Sequence, residues 1–268
     1  MDGDLELLVR ELKLDILRMF YHSKTGHLSS ALSCIEMLSV LYFWQRDEKD
    51  RIVLSKGHGV AALYPILERI GEIDRVELKT FYGYNSRLFA LASHKTPGIE
   101  VSTGSLGQGI CFASGLAKAY RLDTEKAKVF CILGDGEMQE GSVWEAAMFT
   151  PTQKLDNFAV FLDYNGIQAS ERVQTIMQID PVREKWEAFG WQVEEIDGHD
   201  LTAIQDVVQK FRENIYHKPL FVIAHTHKGH GIPFIQDRAE CQMRKPKNEE
   251  WETVCRAFHI SPEELSLL

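Results

Sequence analysis

The sequence lacks the features that mark membrane-spanning or nucleic-acid-binding proteins. No stretch approaches the roughly 20 consecutive apolar residues that a membrane helix requires, and charged residues interrupt every longer apolar pattern. The formal net charge is −9, with acids and bases interspersed and no basic stripe. A basic surface is what nucleic acids and anionic membranes attract. We therefore expect no nucleic-acid partner and no membrane partner.

Signs of export are equally sparse. The five cysteines are an odd number, are scattered, and include no CxxC pair. The first residues, MDGDLELLVRELKLDILRMF, carry charges throughout their apolar pattern, so they lack the continuous apolar segment of a signal peptide. Buried free thiols in a reducing compartment are the simpler interpretation of these cysteines. The predicted location is the cytoplasm.

The chain also lacks internal repeats, low-complexity segments and linkers rich in Pro, Gly or Ser. A length of 268 residues with 44% hydrophobic composition is typical of one large globular domain. We predict a main domain over residues 1–236. Residues 237–268 are polar and charged, and they are predicted to form a peripheral C-terminal tail of the same domain.

Helical and extended patterns alternate along the rest of the sequence. Leu5, Leu8, Leu12, Ile16 and Met19 recur at spacings of three and four, which predicts an amphipathic helix. Short runs such as KVFCILGDG, NFAVFLDYNG and PLFVIAHTHKGHG are rich in Val, Ile and Phe, as buried strands are. Between them lie helical patterns such as GQGICFASGLAKAYRL. The predicted fold class is α/β, with a doubly wound, mostly parallel sheet and helices on both faces.

Oxygen-bearing side chains stand where two of these runs end. Asp135 follows the first run, and Asn165 and Gly166 follow the next. Ligands of open parallel sheets bind beyond the carboxyl ends of the strands, and Mg²⁺ prefers oxygen ligands completed by phosphate and water. Gly136 would allow a diphosphate to approach the backbone closely. The alternative is a simple strand-ending turn in which Asp135 caps a helix.

The wider pattern resembles a known family. GDG, 28 residues and then NG resemble the thiamine diphosphate motif, and GDGEMQEGSVWEA is similar to its transketolase version. GHLSSALS, SKGHG, STGSLGQG, FGWQVEEIDGHD and HTHKGHGIPF extend the resemblance over nearly all of residues 5–235, in the expected order. The chain is thus similar to the N-terminal, thiamine diphosphate-binding subunit of a split transketolase. This implies thiamine diphosphate and Mg²⁺, or Ca²⁺, as cofactors.

The resemblance also implies roles for individual residues. The metal ligands would be the side chains of Asp135 and Asn165 and the carbonyl of Ile167. Residues matching the family's histidines in the substrate channel, and its carboxylate at the subunit interface, are the catalytic candidates His27, His94 and Glu140. The remaining matches would contact the cofactor, and they are His58, Gly104, Ser105, Leu106, Gly134, Gly136, Glu137 and Asn165.

The glutamate that activates the cofactor belongs, in the family, to a second domain that follows this one. The chain ends at Leu268, so the resemblance implies a partner, a C-terminal transketolase-like subunit that carries the pyrimidine-binding domain. Two such pairs would form an α2β2 heterotetramer. The implied reaction transfers a two-carbon ketol unit from a ketose donor to an aldehyde acceptor, with sugar-phosphate-like substrates.

Several alternatives stay open at the level of sequence. Split members usually carry a histidine in the loop after GHGIPF, whereas QDRAECQMRKPKNEEW has none. Either Gln242 or Arg244 replaces it, or the substrate is an unusual acceptor or a 2-oxo acid. A non-catalytic regulatory protein and a Mg²⁺-dependent phosphohydrolase are further alternatives. His225, His227 and His230 form a possible zinc site, which we rank below a structural or cofactor-adjacent role.

Overall fold

The computed structural model describes residues 2–23, 26–169, 171–244 and 246–268. Seven strands occur in these ranges: β1 (Arg51–Leu54), β2 (Val129–Gly134), β3 (Phe158–Tyr164), β4 (Ile167–Gln168), β5 (Glu171–Arg172), β6 (Gln192–Asp197) and β7 (Leu220–His225). The main sheet has the order β1-β2-β3-β7-β6, and all of its neighbouring strands are parallel. Strands β4 and β5 form a short antiparallel pair.

Helices surround the main sheet. They are α1 (Asp2–His22), α2 (Leu28–Leu32), α3 (Ile35–Phe43), α4 (Leu63–Arg69), α5 (Gln108–Leu122), α6 (Gly141–Thr152), α7 (Val173–Ile176), α8 (Val182–Phe189), α9 (Leu201–Arg212), α10 (Trp251–Phe258) and α11 (Pro262–Ser266). Short 3-10 helices occur at Gly57–Ala62, Arg75–Thr80, Gly136–Gln139, Ala239–Cys241 and Asn248–Glu250. None of the helices in the described ranges is long and apolar enough to cross a membrane.

The sheet is covered on both faces because successive strand residues point to opposite sides. In β2, Phe130 and Ile132 belong to one core, and Cys131 and Leu133 belong to the other. The first core also contains apolar side chains of α1, α3 and α9, and the second contains those of α5, α6 and α8. Every strand residue of β2 is buried, which explains its continuous apolar run. The predicted doubly wound α/β fold is confirmed.

The order of the strands decides where the loops meet. After β3 the chain runs to the outer edge of the sheet as β6 and then returns as β7, which lies between β3 and β6. The carboxyl ends of β2, β3 and β7 are therefore adjacent, with Gly134 in register with Asp163 and Tyr164 in register with His225. Residues that follow these three strands share one edge of the sheet.

The C-terminal tail folds back onto α1. Trp251, Phe258 and Leu265 are buried in the first core, and the Arg10 guanidinium donates to the carbonyl of Phe258 at 2.6 Å. The Arg18 guanidinium donates to another tail carbonyl at 3.2 Å. The tail thus shares the core of the main domain, while the boundary between residues 236 and 237 stays a prediction.

Candidate active site

A cavity of about 390 Å³ opens at the carboxyl edge of the sheet. The site residues expected from the sequence that line it are His27, His58, Gly104, Leu106, Gly134, Asp135, Gly136, Glu137, Asn165 and Ile167. Gln242, one of the two candidates for the place of the loop histidine, also lines it, and six further lining residues were not expected, namely Ser30, Lys56, Leu91, Gln168, Ala169 and Lys228. The strand order brings together the lining residues that follow β1, β2, β3 and β7, and residues near α2 and before α5 complete the wall.

Asp135 bridges two loops at the bottom of the cavity. Its Oδ1 accepts from the N–H of Gly136 at 2.7 Å, and its Oδ2 accepts from the N–H of Gly166 at 2.5 Å. It therefore caps the short helix Gly136–Gln139, as the simple-turn alternative required, and also joins the loop that carries Asn165. Burial, together with the neighbouring charge of Asp163, raises the pKa of Asp135 to about 6.

The two other predicted metal ligands are held beside Asp135 by local contacts. Asn165 Oδ1 accepts from the N–H of Ile167 at 3.1 Å, which orients the Asn165 amide. The Ile167 carbonyl accepts from Lys228 Nζ at 3.2 Å. Three oxygen donors from two loops thus border one cavity, the donor type that a hard divalent cation prefers.

Lys228 is a buried cation that sequence reasoning missed. Its side chain is only 2% exposed, and its ammonium group also donates to Gln242 Oε1. Burial, and then the neighbouring positive charge of Lys56, lower the pKa of Lys228 to about 8. The available sequence signal was a lysine placed three residues beyond the end of β7.

Lys56 is the second buried cation of the cavity, and its charge is balanced directly. Its ammonium group forms an ion pair with Asp163 and donates to the carbonyl of Ser30 at 3.1 Å and to Ser33 Oγ at 3.2 Å. Ser33 and Thr226 also donate to Asp163. Burial favours a neutral carboxyl, but Lys56 and these hydroxyls hold the pKa of Asp163 below its usual value.

Two histidines face each other across the cavity wall. The ring centroids of His27 and His58 lie 5.5 Å apart. Burial and the positive charges of nearby lysines lower the pKa of both rings, and that of His58 falls well below its usual value. Both imidazoles are therefore neutral at pH 7. A neutral imidazole has one donor and one acceptor nitrogen, which suits proton transfer with a hydroxyl group.

Glu137 anchors the loops rather than presenting a free carboxylate. Its Oε1 accepts from Ser55 Oγ at 2.5 Å and from the N–H of Gly107 at 2.8 Å, while Oε2 accepts from the N–H of Gly134 at 3.1 Å. These contacts join the ends of β1 and β2 to the loop before α5. The role predicted for Glu137 in cofactor binding stays a prediction.

Several features of the wall fit a polar ligand such as a diphosphate cofactor. Among the described residues, His27 Nδ1, Ser30 Oγ and Gln168 Nε2 are buried polar atoms without a hydrogen-bond partner. Such atoms cost free energy unless a ligand or water satisfies them. A Cβ on Gly136 would lie 2.5 Å from Gln168, so only glycine permits this close approach. The N–H of Gly136 already donates to Asp135, so a diphosphate would have to share or replace that contact.

Comparisons with known proteins show which family the chain resembles. Residues 6–265 match the family described as transketolase, thiamine diphosphate binding domain. The chain is 36% identical over 263 residues to one subunit of the apulose-4-phosphate transketolase from Phocaeicola vulgatus, covering 94% of this chain and 92% of that protein. It is 38% identical over 244 residues to a 6-deoxy-6-sulfo-D-fructose transketolase subunit from a Clostridium species, covering 85% and 86%.

The chain belongs to the transketolase family. It also resembles the crystal structure of transketolase from Campylobacter jejuni, with a TM-score of 0.88, 28% identity and coverage of 96% of this chain. It spans 43% of the length of that solved transketolase. The family and the fold expected from the sequence are both confirmed, and the domain is the one named for thiamine diphosphate binding.

Three predicted site residues of this transketolase-family chain lie outside the cavity lining. His94 is exposed, and its Nδ1 lies 2.7 Å from Ser102 Oγ. Ser105 and Glu140 are exposed as well, and Glu140 directly precedes α6. Within the described part of the chain, none of the three borders the cavity, so their catalytic and cofactor roles stay predictions.

The structure distinguishes the two residues named as candidates for the place of the missing loop histidine. Gln242 lines the cavity and accepts from the ammonium group of Lys228. Arg244 instead pairs with Glu250 and lies outside the lining of this cavity. Of the two candidates in this transketolase loop, Gln242 is the one that reaches the site, and it brings a neutral amide that carries no charge at any pH.

The possible zinc site of His225, His227 and His230 is wrong. His225 lies beside Glu195, with Nε2 2.6 Å from Oε1, and His227 lies beside Asp237, with Nδ1 2.7 Å from Oδ2. His225 is the last residue of β7 and His227 lies beyond it, so strand alternation does not align the pair. Each ring instead forms its own structural contact.

The third histidine joins a different cluster, with Glu36 and His199, whose ligand atoms all lie within 4.8 Å of one another. Lys13 Nζ already neutralises Glu36 at 2.5 Å. The N–H of His227 donates to His199 Nε2 at 2.8 Å, and His199 Nδ1 lies 3.2 Å from Glu36 Oε2. Within the described ranges, Glu36 Oε2 and His199 Nδ1 nevertheless remain buried polar atoms without a hydrogen-bond partner.

Proposed function

We propose that this chain is the cofactor-diphosphate-binding subunit of a thiamine diphosphate-dependent transketolase-like enzyme. The reaction moves a two-carbon ketol unit from a ketose donor to an aldehyde acceptor. The observation that carries the proposal is one buried cavity where oxygen donors of Asp135, Asn165 and Ile167 meet the cations Lys56 and Lys228. Oxygen donors fit a divalent metal, and the cations fit a diphosphate.

The proposed role of each residue follows from the charges of the site. Asp135, Asn165 and Ile167 would hold Mg²⁺, or Ca²⁺, and the bound cofactor supplies an electron sink for cleavage next to the donor carbonyl. Because His27 is neutral and its Nδ1 has no partner, that atom is available to exchange a proton with a substrate hydroxyl. His58 would face the cofactor's phosphate end from the same wall.

A partner polypeptide is part of the proposal. Two relatives are named as subunits of apulose-4-phosphate transketolases, and the present chain covers 92% of the first. His94, Ser105 and Glu140 are exposed, as expected of residues that a pyrimidine-binding subunit would cover. We propose an α2β2 heterotetramer and sugar-phosphate-like substrates, a class that the names of these relatives support.

The proposed compartment is the cytoplasm. All five cysteines are free thiols, and four of them are buried. Burial raises the pKa of Cys34 to about 12, which makes that thiol unreactive at neutral pH. Free, unpaired cysteines are typical of proteins from reducing compartments.

The metal site is tested by replacing its carboxylate in the full chain. We expect D135N to weaken Mn²⁺ binding, measured by electron paramagnetic resonance in the presence of thiamine diphosphate, by about 10- to 100-fold. The reason is the loss of one charge-assisted contact. D206N is the matched control, because Asp206 is exposed on α9 and should leave binding unchanged.

A folded D135N chain with unchanged Mn²⁺ affinity would refute the metal assignment. Circular dichroism checks the fold of each variant. N165S provides a second variant, since a serine hydroxyl can still accept from the N–H of Ile167 while the amide oxygen is removed.

A further inference from the structure

Lys228 forms a hydrogen bond with one of the proposed metal ligands. Its Nζ lies 3.2 Å from the carbonyl oxygen of Ile167, which is the only backbone atom in the proposed ligand set. Both the ammonium group and a divalent metal bind carbonyl lone pairs, and two cations repel each other at such short range. The ammonium group in this position therefore disfavours the binding of a metal to the same carbonyl.

We propose that Lys228 and the divalent metal compete for the Ile167 carbonyl, so that Lys228 sets the metal affinity of the chain. The inference rests on the proposed function, because it takes the metal site of Asp135, Asn165 and Ile167 as given. Lys228 is a positioning residue in this scheme. It occupies the carbonyl in the metal-free chain and turns toward the cavity when the metal binds.

The contacts of the two buried lysines show why Lys228 is the one that gives way. Lys56 forms an ion pair with the carboxylate of Asp163 and also binds two further oxygens. The hydrogen-bond acceptors of Lys228, the carbonyl of Ile167 and the amide of Gln242, are both neutral. A carboxylate adds a Coulomb attraction to the hydrogen bond, which a neutral acceptor does not. Lys228 is therefore the more weakly held of the two.

The movement requires only the side chain of Lys228. Its own carbonyl accepts from the N–H of Asp237 at 2.8 Å, and the N–H of the next residue, Gly229, donates to the carbonyl of Ser29 at 2.9 Å. These contacts fix the backbone on both sides. The long lysine stem lines the cavity, so rotation about its side-chain bonds brings the ammonium group to the proposed diphosphate region.

The experiment measures Mn²⁺ binding to the full chain without cofactor, by electron paramagnetic resonance. We expect K228M, which keeps the length of the stem and removes the charge, to bind Mn²⁺ at least about tenfold more tightly than the unmodified chain, the effect of one lost charge-assisted contact. In the presence of Mn²⁺, the same variant should bind inorganic pyrophosphate at least about tenfold more weakly, since the cavity has lost a cation. K218M is the matched control, because Lys218 is exposed.

A second variant, Q242M, keeps the charge of Lys228 and tests the same competition if K228M does not fold. Q242M removes the amide acceptor of the ammonium group, so the metal-free position of Lys228 is less stable. We expect Q242M to raise the Mn²⁺ affinity in the same direction as K228M, by a smaller factor.

The outcomes separate this inference from the proposed function. If D135N weakens Mn²⁺ binding while folded K228M and Q242M match the unmodified chain, the competition is refuted and the metal site stands. If D135N leaves Mn²⁺ binding unchanged, the metal site itself is refuted, and the competition with it. Tighter Mn²⁺ binding by K228M combined with weaker pyrophosphate binding supports the proposal.

Discussion

At the scale of single residues, the cavity is a balance of buried charges. Lys56 and Lys228 bring two cations, and Asp135, Glu137 and Asp163 bring three carboxylates, all with at most 3% exposure. Buried charges are tolerated only when they are paired or hydrogen-bonded. Burial, together with the nearby charges of Lys56 and Lys228, lowers the pKa of the neighbouring imidazoles and keeps them neutral. This lowers the stability of the folded chain when the pH falls.

His58 provides the corresponding pH prediction. Burial, followed by the charge of Lys56, lowers the pKa of His58 well below its usual value of 6.5. Below pH 6.5 the ring of His58 binds a proton in the unfolded chain but stays neutral in the folded chain. The free energy of unfolding therefore decreases as the pH falls. We expect H58N to reduce this slope by up to about 1.4 kcal/mol per pH unit between about pH 6.5 and 5.

Urea unfolding at several pH values measures the slope. H217N is the control, because His217 is exposed and adopts a left-handed φ of 51° that asparagine also tolerates. A slope in H58N equal to that of the unmodified chain would show that the pKa of His58 is the same in the folded and the unfolded chain.

At the scale of elements, helix α5 is pressed against the end of β1. A Cβ on Gly109 would lie 2.6 Å from Ser55 Cα and 2.5 Å from its Oγ. The same hydroxyl donates to Glu137 and accepts from the N–H of Ile110 at 3.1 Å. The absence of a side chain at position 109 thus allows the first turn of α5 to anchor the loop that carries Gly104 into the cavity.

Replacing each of two glycines of α5 with alanine should change the free energy of unfolding in opposite directions. We expect G109A to lower the free energy of unfolding by about 1–3 kcal/mol, because the new methyl group overlaps Ser55. G115A should raise it by about 0.5–1 kcal/mol, because nothing lies within 4 Å of a Cβ there and alanine favours helix. Urea unfolding at pH 7 compares the two. Equal effects of both variants would contradict the close packing of α5 on β1.

At the scale of the whole molecule, the site has one open side. The cavity collects the proposed metal and diphosphate ligands, while His94, Ser105 and Glu140 remain exposed outside it. The chain spans 43% of the solved transketolase from Campylobacter jejuni but 92% of a relative whose name marks it as one part of a larger enzyme. Both facts support the proposal that a second polypeptide completes the active site.

The partner requirement is tested by activity. We expect the isolated chain, with thiamine diphosphate and Mg²⁺, to show no ketol transfer from xylulose 5-phosphate to an aldehyde. Addition of the polypeptide that co-purifies with it from the native source should restore transfer, and a complex built with D135N should stay inactive. Robust turnover by the isolated chain would contradict the split enzyme. Depletion of pyruvate instead of xylulose 5-phosphate would assign a 2-oxo acid donor.

Sequence alone determined the architecture and the location of the site. The alternation of buried strands and amphipathic helices is a local property, so it was readable without coordinates. A parallel sheet collects its strand ends at one edge, which is why Asp135 and Asn165, thirty positions apart in the chain, were expected to meet. The family motifs added Ile167 and His58, and both border the cavity that the structure shows.

Only the tertiary structure decided which side chains face that cavity and which partners they bind. Lys228 meets Ile167 across 61 positions, and Lys13 meets His230 across 217. Such pairings depend on the register between β3 and β7 and on the packing of α1, which no local pattern encodes. For the same reason His225 and His230, five positions apart, contact different carboxylates, Glu195 and Glu36, and Gln242 rather than Arg244 reaches the site.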